Sequence, residues 1–97
     1  MEGEYEVKGS NPDGKGGYEG KLRIQKSGDT YQLRWIIPGS RTYYGVGLKV
    51  GDSLYVGWST SSNTYAVISY SFTGGVAEGT WTIGGSSHTA KENLARK

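Results

Sequence analysis

Apolar and polar residues alternate along this chain with a period of two, and no stretch keeps the three-or-four spacing that marks one face of a helix. Tyr18, Gly20, Leu22 and Ile24 share one face of an extended segment, and so do Tyr31, Leu33 and Trp35. The pattern predicts strands separated by glycine-rich turns. Eight are expected, over residues 4–9, 17–25, 30–37, 41–50 and 53–59, then from the Ser/Thr/Asn loop at 60–64 to about 72, and over 76–83 and about 88–95. Asn11-Pro12-Asp13-Gly14 is the clearest turn, because proline fixes φ and glycine accepts a positive one.

Every connection is short, so successive strands are antiparallel neighbours; a parallel crossover needs a dozen residues or more. An open eight-stranded meander leaves two unpaired edges, and pairing the last strand with the first removes them. The expected fold is therefore all-β, an eight-stranded antiparallel up-and-down (meander) barrel formed by residues 1–97 as one domain. Charge placement fits closure if Glu4 and Glu6 pair with Lys21 and Arg23 on the second strand and with Lys91 on the eighth.

The alternation itself recurs. Gly28, Gly51 and Gly74 stand 23 residues apart, as do Trp35, Trp58 and Trp81, so the barrel reads as built from 23-residue hairpin repeats. Each glycine falls where a tight hairpin wants positive φ. Asp29 and Asp52, which follow two of them, read as turn chemistry rather than as metal ligands, since they sit in separate turns without clustered carboxylates. In each copy the positions three, five and seven after the glycine share an inward face: Tyr31, Leu33, Trp35; Leu54, Val56, Trp58; Ala77, Gly79, Trp81.

Glycines inside strands (Gly20, Gly45, Gly47, Gly57, Gly79) are expected to permit coiling and to leave room over which aromatic rings lie. The fourth strand is ambiguous: Tyr43, Gly45 and Gly47 share one face, and Tyr44, Val46, Leu48 and Val50 the other. Hydrophobicity favours the second face inward, unless a bulge near Gly47 changes the phase.

Composition narrows the function. Eleven basic and nine acidic residues are interspersed, so no charge run calls for nucleic acid or an anionic membrane surface. Cysteine is absent, which excludes disulfides and thiolate metal sites and leaves the compartment open. Neither a signal-peptide pattern nor an apolar run long enough for a membrane helix is present, so a soluble domain is expected.

No catalytic residue, metal site or cofactor is expected. Gly-x-Ser-x-Gly is missing, and Gly14-Lys15-Gly16-Gly17 lacks the remainder of a phosphate loop. His88 is the one histidine; in a strand it shares a face with Ala90, Glu92 and Leu94, where an inward His–Glu pair either contacts a ligand or is a structural polar pair at the barrel end. The aromatic residues are the stronger signal. Trp35, Trp58, Trp81, Tyr31, Tyr18 and His88 are the candidate ligand-binding residues, for a small, partly apolar or aromatic molecule at an open barrel end. An eight-stranded interior holds either packed side chains or one small ligand, so the same indoles also suit a filled barrel that serves as scaffold or protein-interaction module. Tyr43, Tyr55 and Tyr65 are expected outside or at a rim, available to a protein partner or a second copy.

Asn11-Pro12-Asp13-Gly14, Tyr18-x-Gly20-x-Leu22-x-Ile24, Gly28-Asp29-Thr30-Tyr31-x-Leu33-x-Trp35, Gly45-x-Gly47-Leu48 and Glu78-Gly79-Thr80-Trp81 together resemble a group of small exported bacterial β-barrel domains of uncharacterised function. The resemblance spans most of the chain and implies fold rather than activity. In architecture alone the expected barrel is also similar to the avidins and lipocalins, with no ligand motif of either matched position by position. The chain departs from the bacterial group in lacking an export signal. The resemblance then implies a mature domain, periplasmic or secreted, or else an engineered or designed derivative.

Overall fold

The computed structural model describes every residue except Ser62, and every side chain except those of residues 60–62. The centre of the polar loop expected at 60–64 thus lies outside the described residues. Eight strands follow one another: β1 (Gly3–Ser10), β2 (Gly17–Ser27), β3 (Thr30–Ile36), β4 (Thr42–Val50), β5 (Ser53–Ser61), β6 (Thr64–Thr73), β7 (Val76–Ile83) and β8 (Ala90–Arg96). Each pairs antiparallel with its sequence neighbours, and β8 pairs with β1, from Tyr5 opposite Arg96 to Gly9 opposite Glu92. The sheet is a closed meander barrel, as the alternation and the edge argument predict.

The β2–β3, β4–β5 and β6–β7 links are two-residue turns beginning at Gly28, Gly51 and Gly74, with φ of 60°, 61° and 63°. A glycine with positive φ in the first central place matches the strand twist, and any side chain there would be strained. These turns gather at one end, together with both chain termini. The β1–β2, β3–β4 and β7–β8 connections at the other end are longer.

Inside, Leu22, Ile24, Leu33, Leu54, Val56, Ile68 and Tyr70 form the packed centre. The face assignments made from Gly28, Gly51 and Gly74 hold: Leu33, Trp35, Leu54, Val56, Ala77 and Trp81 are buried, and Tyr31 and Trp58 are half-buried against the core. Tyr5 caps the turn-rich end. Its hydroxyl donates to the Met1 carbonyl at 2.6 Å and accepts from Arg96 at 2.9 Å, while the guanidinium stacks over its ring at 5.2 Å.

Three expectations are corrected. In β4 the inward face is Tyr43, Gly45 and Gly47, whereas Tyr44, Val46, Leu48 and Val50 point outward, each more than half exposed. Neighbouring strands already occupy the space in front of the glycines: a Cβ on Gly45 would lie 2.9 Å from the Trp35 ring, and one on Gly47 3.0 Å from Leu54. No bulge occurs there; the register shift falls between Ser59 and Ser61. Second, room for an aromatic ring explains Gly45 and Gly79 but neither Gly57, which faces outward with no ring over it, nor Gly20 and Gly47, which face Ile37 and Leu54. Third, β8 begins at Ala90, leaving His88 exposed in the β7–β8 connection.

The charge pattern is also only partly realised. Glu4 is opposite Arg23 and Glu6 opposite Lys21, but the ion pair that forms among the described residues is Lys8–Glu19 at 3.7 Å, fully on the surface. Lys91 stands opposite Thr80 rather than beside Glu4 or Glu6, and its amine donates to the Thr80 hydroxyl at 3.0 Å.

Candidate binding cavity at the open end

The end opposite the two-residue turns is not filled. A cavity of about 370 Å³ lies there, inside the usual range for small-molecule sites. Trp35, Trp58 and Trp81 form much of its wall because they stand at the loop-proximal ends of the inward faces of β3, β5 and β7. The Trp58 ring sits between the other two, 5.2 Å from Trp35 and 5.6 Å from Trp81 by centroids, tilted 41° to each. Tyr18 from β2 adds an edge contact to Trp81 at 6.3 Å. The Trp81 indole N–H donates to the Ser10 carbonyl of β1 at 3.0 Å, reaching past β8, where its partner is the small Ala90.

The loops complete the mouth. Ile37 begins the Ile37-Pro38-Gly39-Ser40 turn, closed by the Ser40 N–H donating to the Ile37 carbonyl at 3.0 Å, with φ of 79° at Gly39. Ile37 and Ser40 line the opening, with Tyr43 beside them at the start of β4. On the other side Asn11 lines it, held by the donation of its Nδ2 to the Lys15 carbonyl at 3.1 Å.

At the floor is Glu92, the buried charged residue of the interior, 4% exposed. Its Oε1 accepts from the Tyr18 hydroxyl at 2.5 Å. Its Oε2 accepts from the Trp35 indole N–H at 3.2 Å and from the Tyr70 hydroxyl. Three neutral donors from β2, β3 and β6 thus converge on one carboxylate of β8, and no buried side-chain polar atom among the described residues is left without a partner. Two glycines let the tyrosines arrive. Gly9 lies between Tyr18 and Glu92 in the sheet, and a Cβ there would fall 2.4 Å from the Tyr18 ring. Gly79 lies between Tyr70 and Glu92, and its Cβ would fall 2.9 Å from the Tyr70 ring. Each phenol crosses a strand over a residue that has no side chain.

Burial raises the Glu92 carboxyl above its usual value, while the three hydrogen bonds pull the other way. Burial and then the charge of Glu92 push the Tyr18 and Tyr70 phenols far up, so both remain protonated donors.

Of the residues expected to contact a ligand, the structure brings Trp35, Trp58, Trp81 and Tyr18 to this cavity. Tyr31 lies at the opposite end, where it pairs with Lys26 beside the Gly28 turn. His88 is in an exposed loop and forms no pair with Glu92; its backbone carbonyl accepts from Thr82 and Ser86. Tyr43 stands at the rim, while Tyr55 and Tyr65 are outside. Sequence reasoning placed Glu92 on an inward face but missed its partners, along with Ile37, whereas Tyr43 is at the rim, one of the two places expected for it. The inward phase of Tyr70 was available from the β6 alternation, but its meeting with Glu92 was not. The chain matches no protein-family model and no curated protein, so the functional reading rests on this geometry.

Proposed function

We propose that the chain is a non-catalytic binding module that holds a small, partly apolar ligand in the open end of the barrel. The observation that carries this reading is the contrast between a packed interior and a cavity of about 370 Å³ walled by three tryptophans. Aromatic faces give broad contact at low entropic cost, and the wall is held in place by indole hydrogen bonds to Ser10 and Glu92. Nothing around Glu92 supports a reaction: its neighbours are two phenols held protonated and an indole, with no nucleophile beside them.

The test is titration with N-phenyl-1-naphthylamine, a neutral dye whose emission rises in apolar sites and which accepts energy from tryptophan. Saturable one-to-one binding that is lost in Ile83→Arg, at the cavity wall, is the expected result. Absence of saturable binding, or binding indifferent to that substitution, overturns the reading.

A second reading has its own observation. Val46 and Leu48 of β4, Tyr55 of β5, and Tyr65 and Val67 of β6 are exposed on adjacent strands, forming an apolar outer face that suits a protein contact. Sedimentation over a range of concentrations, with Val46→Lys and Leu48→Lys as the disrupting pair, tests it for self-association.

A further inference from the structure

We infer that the ligand class of the open-end cavity is an organic cation, and specifically an alkylated ammonium with no strong N–H donor. The inference rests on the ligand-binding reading above and narrows its chemistry. Glu92 places its carboxyl group at the floor of the cavity, and among the described residues no Lys, Arg or His stands within ion-pair distance of it. Its three hydrogen-bond donors are all neutral. The rings of Trp35, Trp58 and Trp81 line the same cavity, and aromatic faces carry the negative end of the ring quadrupole.

Once Glu92 is ionised, its carboxylate and the rings act in the same direction. An anion is disfavoured by both, and a neutral molecule uses the walls but gains nothing from the buried charge. A cation gains from each, most strongly where water is excluded. The hydrogen-bond inventory selects among cations. Oε1 already accepts from Tyr18, and Oε2 from Trp35 and Tyr70, so the carboxylate offers field more than free acceptor sites. A primary ammonium would enter with three donors and a tightly held water shell. A quaternary or fully alkylated ammonium brings methyl groups that pack on indole and needs no acceptor.

Affinity should also rise with pH as Glu92 ionises. Among the described residues the titratable groups facing it are Tyr18 from β2 and Tyr70 from β6, both held protonated.

Choline and 3,3-dimethylbutan-1-ol have the same shape and differ in a positive nitrogen against a carbon. Calorimetric titration of the intact protein with each at pH 8 should show choline binding at least about 10-fold more tightly. Glu92→Gln should remove about 10-fold of choline affinity and leave the alcohol within about 2-fold. Trp58→Leu, a rim substitution that leaves the carboxylate network alone, should weaken choline more than the alcohol. Equal affinities in the unchanged protein, choline binding indifferent to both substitutions, or no choline binding at all overturns the inference. N-phenyl-1-naphthylamine separates the two failures: if the neutral dye still binds in a manner sensitive to Ile83→Arg, only the cationic assignment falls; if it does not, the ligand-binding reading falls with it.

Discussion

At one end of this barrel three of the chain reversals take two residues each, and Tyr5, Phe72 and Arg96 close the interior. At the other end the reversals include a Pro-Asp-Gly turn and a Pro-Gly turn, and the same inward faces of β3, β5 and β7 finish in tryptophans around a cavity. The strands are common to both ends, so the difference lies in what sits at the ends of each inward row. On the turn side of each tryptophan, Leu33, Leu54 and Ala77 fill the interior with branched or small side chains that interlock. Trp35, Trp58 and Trp81 are broad plates, and three plates tilted against one another enclose a volume they cannot fill. A stable plug at one end leaves the other free to be hollow.

Substitutions sharpen that contrast. The largest effect belongs to the packed side: Leu54 is fully buried, and Leu54→Ala should cost about 2–5 kcal/mol in denaturant unfolding, while dye binding at the cavity persists in the molecules that stay folded. Loss of binding in step with stability would mean that the two ends are not separable. Gly79→Ala comes next. Its methyl would press on the Tyr70 ring and on the Glu92 carbonyl, and a drop of about 1–3 kcal/mol with a lowered melting temperature is expected.

Glu92 gives a pH signature with a definite sign. Its folded pKa is raised above the ordinary 4.5, so below that value both folded and unfolded chains carry the proton and its contribution to stability is complete. As pH rises, the unfolded chain ionises first, and stability falls at up to about 1.4 kcal/mol per pH unit until the folded pKa is passed. Melting curves across this window, with Glu92→Gln subtracted, should show that downward slope; a flat difference would mean that the donors from Tyr18, Tyr70 and Trp35 fully offset burial. The smallest change in stability falls on the hollow side. Trp58 is half-buried, and Trp58→Ala should cost about 1 kcal/mol yet abolish most dye binding, the inverse of Leu54→Ala.

How far the sequence could be read differs between features for physical reasons. The turns at Gly28, Gly51 and Gly74 are local, and a positive φ leaves its mark in residue type. The inward rows ending in tryptophan follow from strand period alone. The face of β4 does not, because hydrophobicity assigns Tyr44, Val46, Leu48 and Val50 to the core, whereas Trp35 and Leu54, from adjacent strands, already occupy that core. Glu92 is similar. Its phase between Ala90 and Leu94 shows a carboxyl pointing inward, but the meaning of that carboxyl comes from Tyr18, Trp35 and Tyr70, which lie 74, 57 and 22 residues away along the chain.

The sequence by itself thus determined the strands, their order, the closure of β8 on β1 and the side of each strand that carries tryptophan, since these depend on local backbone preference and on the need to leave no sheet edge unpaired. Only the tertiary structure decided that the barrel is solid at one end and hollow at the other, and that a buried carboxyl group lines the same cavity as three indoles. Side chains crossing the interior from non-adjacent strands compete for one volume, and the outcome depends on distances across the barrel that no single strand encodes.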